Sequence, residues 1–213
     1  MTRPRLLVLA GVNGAGKSSV GGDTLRQAGM AWFNPDDYAR DLLDASGCTQ
    51  TQANAQAWQE GMRRLEAAIT GRHDHAFETT LGGNTIPARL REAADTHDLM
   101  IWFCGLDSPE RHIARVRLRV AGGGHDIPEA KIRERCVSSI ANLITLLPYL
   151  TSLQVYDNST DAAPGTPVSS PRLLLQMHAG RIDWPTDADT LGHTPDWAKP
   201  IMEAALTQAG ARG

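Results

Sequence analysis

Residues 11–18 read Gly-Val-Asn-Gly-Ala-Gly-Lys-Ser and fill every fixed position of the phosphate-loop pattern G-x-x-x-x-G-K-[ST]. The loop follows an apolar run, Leu6-Leu7-Val8-Leu9-Ala10, that has the length and branching of a buried strand. It precedes a helix-compatible stretch ending near Gly29. That strand–loop–helix context is what the pattern requires. Glycines let successive backbone N–H groups turn inward around phosphate oxygens, and the following helix adds its positive N-terminal end. Gly11, Val12, Asn13, Gly14, Ala15, Gly16, Lys17, Ser18 and Ser19 are therefore the expected nucleotide-binding residues. In this pattern the lysine reaches the β- and γ-phosphates and the Ser18 hydroxyl ligates Mg²⁺.

Short apolar runs alternate with longer amphipathic stretches, so the expected class is α/β: a mainly parallel, P-loop kinase-like sheet flanked by helices. Candidate strands are 5–10, 31–34, 75–78, 99–105 and 153–156, and candidate helices follow Lys17, Asp36, Gln50, Thr85, Ser108 and Pro128. Residues 1–159 form the expected core, with a lid at about 108–150. Residues 157–171 are rich in Asn, Ser, Thr, Gly and Pro and read as a loop. A C-terminal extension, 160–213, is expected to pack on the same domain. It holds short strands near Leu173–Leu175 and Arg181–Ile182 and a helix over 194–209.

Composition narrows the function. Lys and Arg number 21 against 24 Asp and Glu, a net charge of −3, so no global field steers the chain toward nucleic acid or an anionic membrane. Cys48, Cys104 and Cys136 are odd in number and widely spaced. They suggest no disulfide framework, and a reducing, cytoplasmic setting is expected. No stretch is long enough to span a bilayer.

Phosphoryl transfer also needs an acceptor-activating group, a grip on the acceptor and cations. In a parallel sheet these belong at the carboxyl ends of strands. Asn34-Pro35-Asp36-Asp37-Tyr38 follows the second candidate strand, and either aspartate can serve as a proton acceptor or cap the next helix. Phe77-Glu78-Thr79-Thr80 ends the third, with Glu78 and Thr80 on one side of an extended backbone. Asp107 ends an apolar run, but Asp107-Ser108-Pro109-Glu110 reads as a helix start, which favours a turn role. Arg111, Arg115 and Arg119 are spaced to share a helix face. Beyond a glycine hinge, Gly122-Gly123-Gly124-His125, Asp126 and Glu129 resemble a capping box, and the next helix carries Arg133 and Arg135. Two Arg-bearing helices on a hinge suit a closing lid that excludes water.

Taken in order, the phosphate loop, Asn34–Ala39, Phe77–Leu81, Gly123–Pro128 and Tyr156–Ser159 resemble the zeta-toxin family of kinases over roughly residues 5–159. The resemblance implies a P-loop kinase that uses ATP and Mg²⁺ to phosphorylate the 3′-hydroxyl of the sugar in UDP-N-acetylglucosamine. It also implies a small helical antitoxin as a partner. Lys17 then becomes the phosphate lysine, Ser18 the magnesium residue, Asp36 the base, and Glu78 and Thr80 the grip on the sugar. Arg119 becomes the first lid arginine, with His125, Arg133 or Arg135 as the second group, and Asn158 falls where related folds cover the adenine. Kinases of a free sugar, an antibiotic or a nucleoside share this core, and a nucleotide-dependent binding module without acceptor chemistry is the rival from another class.

Overall fold

The computed structural model describes residues 2–22, 25, 32–160 and 170–212. Its six strands are β1 (Arg5–Ala10), β2 (His75–Thr79), β3 (Asp98–Gly105), β4 (Ser152–Asp157), β5 (Arg172–His178) and β6 (Arg181–Trp184). They lie in one sheet in the order β2-β1-β3-β4-β5-β6. The first four are parallel, and β5 and β6 add on antiparallel. Register aligns Ala10 with Thr79 on one side and with Phe103 on the other, and Gly105 with Asp157. The phosphate loop, the Thr80 turn, the end of β3 and Asn158 therefore emerge along one edge.

Side-chain alternation splits β1 between two cores. Leu6, Val8 and Ala10 face Leu65 and Ala68 of α3 (Gln50–Gly71), Leu90 and Ala93 of α4 (Thr85–Ala93), Leu143 and Leu146 of α6 (Glu129–Leu146), and Ile201 and Ala205 of α7 (Lys199–Arg212). Leu7 and Leu9 face the other way, toward Leu25, Ala76 and Trp102. A strand covered on both faces reads as a continuous apolar run, which is why β1 stands out in the sequence. α1, a wide helical turn at Ser18–Gly22, sits on the Leu9 side, where a Cβ on Gly21 would come within 2.4 Å of the Leu9 side chain. Apart from Leu25, the remainder of the helix expected up to Gly29, and residues 161–169 of the expected loop, lie outside the described residues.

Three sequence expectations are corrected. Of the strand expected at 31–34, Ala31 lies outside the described residues and 32–34 hold a single bridge at Phe33, whose N–H donates to Ala76 O and whose carbonyl accepts from Glu78 N. It stops there because Asn34 caps α2 (Pro35–Ser46) and Pro35 has no N–H to give a ladder. The capping box expected from Asp126 and Glu129 does not form. Pro128 precedes α6 without a side-chain cap, Asp126 accepts from Ile127 N, and Glu129 pairs with Arg117. The terminal helix begins at Lys199, later than expected, after a 3₁₀ turn at Asp196–Ala198, with Pro200 in its first turn.

The strands expected near Leu173 and Arg181 form the β5–β6 hairpin. Its turn residues Ala179 and Gly180 both have positive φ, 49° and 82°. Among the described residues no helix is long and apolar enough to cross a membrane, and the three cysteines are free thiols.

Candidate active site at the phosphate loop

The loop backbone demands glycine. Gly11, Gly14 and Gly16 have φ of 138°, 82° and 83°, where a side chain is strained. A Cβ on Gly11 would lie 2.1 Å from Cys104 O, and one on Gly16 would lie 2.4 Å from Asn158 Nδ2. The loop is braced from beneath at Ala15, whose carbonyl accepts from Asn158 Nδ2 at 2.9 Å and from Cys104 Sγ at 3.1 Å. Burial pushes the Cys104 thiol up to about 12, so it stays a neutral donor. Asn158, which the resemblance sets over the adenine, is here a strut between the end of β4 and the loop.

From above, α5 (Pro109–Ala121) and α6 hold the loop. His112 Nδ1 lies 2.9 Å from Asn13 O, and Arg135 Nη1 donates to Asn13 Oδ1 at 2.6 Å. Val12 is buried with Ile113, Val116, Ile127 and Ile132, so α5 and α6 share a small apolar core with the loop itself. Burial lowers the His112 imidazole to about 4, which keeps the ring neutral and able to donate to the Asn13 carbonyl. Lys17 is partly buried next to this cradle. Burial lowers its ammonium below the usual 10.5, while the Glu78 and Asp36 carboxylates pull it back up. Ser18 is exposed at the start of α1, and Ser19 follows in the same turn.

Across from Lys17, the chain enters α2 with Asn34 as its cap: Asn34 Oδ1 accepts from Asp36 N at 2.9 Å. Neither aspartate is the cap, and the helix sends them different ways. Asp37 pairs with Arg40 at 2.5 Å on the surface. Asp36 lines a cavity of about 360 Å³ that also takes in Lys17, Glu78, Thr80, His125 and Arg135. Arg119 Nη1 reaches Asp36 Oδ2 at 3.1 Å, and His125 Nε2 stands 4.0 Å from Asp36 Oδ1. Glu78 is only 6% exposed and accepts from Trp32 Nε1 at 3.1 Å.

Thr80 sits just past the end of β2. Its hydroxyl accepts from Gly82 N at 3.3 Å, and its carbonyl accepts from the Ser139 hydroxyl. Asn142 and Ser138 of α6 donate to Leu81 O and Gly82 O, so α6 clamps this turn as well as the loop. That clamp was not legible from the sequence, because polar residues on an amphipathic helix usually face solvent.

The arginines of α5 separate. Arg111 pairs with Asp107, in the bend before the helix, at 2.9 Å. Arg115 donates to Thr160 O at 3.3 Å. Arg119 alone of the three meets the cavity carboxylate. Arg133 pairs with Glu110 at 2.7 Å, tying α6 to α5 away from the cavity, whereas Arg135 lines it. Arg135 carries no ion pair among the described residues, and burial disfavours its charge against the weaker pull of Glu134 and Asp36. A desolvated guanidinium beside a phosphate cradle is suited to an incoming anion.

No protein-family model matches the chain. An uncharacterized protein of Haemophilus influenzae is 28% identical over 149 residues, 63% of this chain and 99% of its own length. Among solved structures, the AvrRxo1-ORF1:-ORF2 complex with ATP matches with a TM-score of 0.66 at 13% identity. That match covers 95% of this chain, which spans 64% of the matched chain. The PezAT chromosomal toxin–antitoxin system of Streptococcus pneumoniae matches with a TM-score of 0.56 at 14% identity, over 98% of this chain and 86% of that one. A putative kinase from Chloroflexus aurantiacus matches at 0.52 and 14% identity, over 63% of this chain and 78% of its own. At these identities the likeness establishes the fold, which is P-loop kinase-like.

Proposed function

We propose that this chain transfers the γ-phosphoryl group of ATP to a hydroxyl of a small sugar-containing metabolite, as in the UDP-N-acetylglucosamine kinases its motifs resemble. The observation that carries this reading is the position of Asp36. Its carboxylate shares one cavity with Lys17 on the donor side and with Glu78 and Thr80 on the acceptor side. The match to a structure solved with ATP supports the choice of donor.

In this reading Asp36 accepts the proton of the acceptor hydroxyl as that oxygen bonds to the γ-phosphorus. The bond from the γ-phosphorus to the β–γ bridging oxygen breaks, and ADP leaves with the electron pair. Lys17, Arg119 and Arg135 offset the charge on the transferring group, and Glu78 and Thr80 hold the sugar by hydrogen bonds. Arg119 must exchange its Asp36 partner for phosphate, which frees the base as the donor arrives. Among the described residues no group of three or more His, Cys, Asp or Glu could hold a metal ion. The exposed Ser18 hydroxyl nevertheless fits Mg²⁺, which binds with few protein ligands and completes its shell with nucleotide phosphates and water. When bound there, the ion supplies positive charge to the β- and γ-phosphates. A small helical protein covering the nucleotide site is the partner this reading implies.

Incubation with labelled ATP and a metabolite extract tests the proposal. Label in a phosphorylated sugar-containing metabolite supports it. Turnover of ATP that no acceptor stimulates would assign the site to a nucleotide-dependent binding module.

A further inference from the structure

Leu81 has φ of 52°, a left-handed backbone that side chains rarely adopt, yet it is only 1% exposed and packs in the main core. Strain of this kind persists only where the surroundings over-determine it. Here four consecutive carbonyls, from Thr80 to Gly83, each accept from a side chain of α6. Ser139 Oγ donates to Thr80 O, and Ser138 Oγ to Gly82 O at 3.0 Å. Asn142 Nδ2 donates to Leu81 O at 2.6 Å and to Gly83 O at 3.1 Å. Within the turn, Leu81 N donates to Thr79 Oγ1 at 3.1 Å and Gly82 N to Thr80 Oγ1 at 3.3 Å. The Thr80 hydroxyl therefore keeps its own hydrogen to give, and Thr80 lines the cavity with Asp36 and Glu78. Arg135, Ser138, Ser139 and Asn142 are spaced i, i+3, i+4 and i+7, so they share one face of α6. Arg135 donates to Asn13 of the phosphate loop, and a Cβ on Gly82 would lie 2.7 Å from Arg135 Cγ. One helix thus fastens the turn and the loop together.

We infer that Asn142 is a positioning residue for the phosphoryl acceptor: by bridging Leu81 O and Gly83 O it holds the turn in its left-handed form and keeps Thr80 aimed at the acceptor, in register with the phosphate loop. Asn142 lies outside the cavity lining, so its effect passes through the turn. A side-chain amide suits the task, because its two N–H groups serve two carbonyls at once, whereas each serine has a single hydrogen to give. Asn is also a poor residue for the middle of a helix, where its side chain competes for backbone groups. Its place in α6 is explained by the turn it holds and not by the helix it sits in. The acceptor end of this inference rests on the kinase reading above; the hold on the turn rests on the hydrogen bonds alone.

Wild type, Asn142→Ala, Thr80→Val and the double variant are assayed with ATP, Mg²⁺ and UDP-N-acetylglucosamine. Alanine favours the helix, so Asn142→Ala is expected to fold. It should raise KM for the acceptor by about 10-fold and leave KM for ATP within about twofold. In the Thr80→Val background the same change should add less than about twofold, because a residue acting through Thr80 has nothing left to position. No rise for the acceptor, equal rises in both KM values, or full additivity with Thr80→Val overturns the inference. Amide hydrogen exchange gives a readout independent of catalysis. The Leu81 and Gly82 amides should exchange at least about 10-fold faster in Asn142→Ala, while those of Leu6 to Ala10 keep their wild-type rates. That result in a protein that transfers phosphate to no acceptor sinks the kinase reading and leaves the hold of Asn142 on the turn standing. Unchanged exchange at Leu81 and Gly82 overturns the inference.

Discussion

Arg119 Nη1 lies 3.1 Å from Asp36 Oδ2, a contact between residues 83 positions apart that joins α5 to the start of α2. Both groups are substantially exposed, so the pair adds little to stability. Its interest is chemical. It marks the point at which a cation of α5 meets the proposed base, whose carboxylate lines the cavity beside Lys17.

Asp36→Asn keeps the shape of the side chain and removes its basicity. Transfer should fall by about 10²–10⁴-fold, the usual contribution of a general base, while ATP affinity measured by calorimetry is unchanged. The variant also loses the charge that holds Arg119.

Arg119→Ala should lower kcat by about 10²–10³-fold with a smaller effect on acceptor KM. Arg133→Ala breaks only the exposed pair with Glu110 and should leave kcat within about twofold. Equal losses in steady-state assays of the two variants would contradict the different places they occupy.

Lys17→Ala removes the one ammonium group in the cradle and should impair ATP binding and turnover together. Unchanged nucleotide affinity by equilibrium binding would contradict its place beside the phosphates.

Gly11→Ala tests the loop backbone. With φ at 138° and the Cys104 carbonyl 2.1 Å from the new methyl, the loop must move. A loss of about 1–3 kcal/mol is expected in urea unfolding, together with loss of ATP binding. Gly83→Ala, where nothing lies within 4 Å, is the matched control.

Stability should depend on pH through His112. Burial lowers its pKa from 6.5 to about 4 in the folded chain. Between these values the unfolded chain binds the proton and the folded chain does not. The stabilisation from keeping His112 neutral is therefore full above about pH 6.5 and is lost as pH falls toward 4. His75, also lowered to about 4 by burial, acts in the same direction. Comparison with His112→Asn isolates the loop histidine: from pH 7 to 5 the wild type should lose about 2 kcal/mol more than the variant in urea unfolding.

The site was legible in the sequence where chemistry imposes local spacing. The loop needs its glycines and lysine in fixed order. Strand alternation was a weaker guide at Glu78 and Thr80, since Thr80 lies past the end of β2 and Phe77 and Thr79 line the same cavity. The helix start at Ser108 was equally plain, because capping is local: Ser108 Oγ accepts from Arg111 N at 3.3 Å. The choice between Asp36 and Asp37 was not local. It depends on Asn34 taking the cap and on Arg119 arriving from another element. The sorting of Arg133 from Arg135 turns on which side of α6 meets Glu110 and which meets Asn13, 122 positions away from Arg135. Phe33 misled because an apolar triplet before a proline has the composition of a strand but room for only one bridge.

The role proposed for Asp36, activation of an acceptor hydroxyl for attack on ATP, is tested by transfer of label from γ-labelled ATP into a metabolite by wild type and by Asp36→Asn, with ATP binding measured on the same samples. Labelled product is expected with wild type, a loss of at least about 10²-fold with the variant, and equal ATP affinity in both. Labelled product formed by Asp36→Asn at the wild-type rate would contradict it.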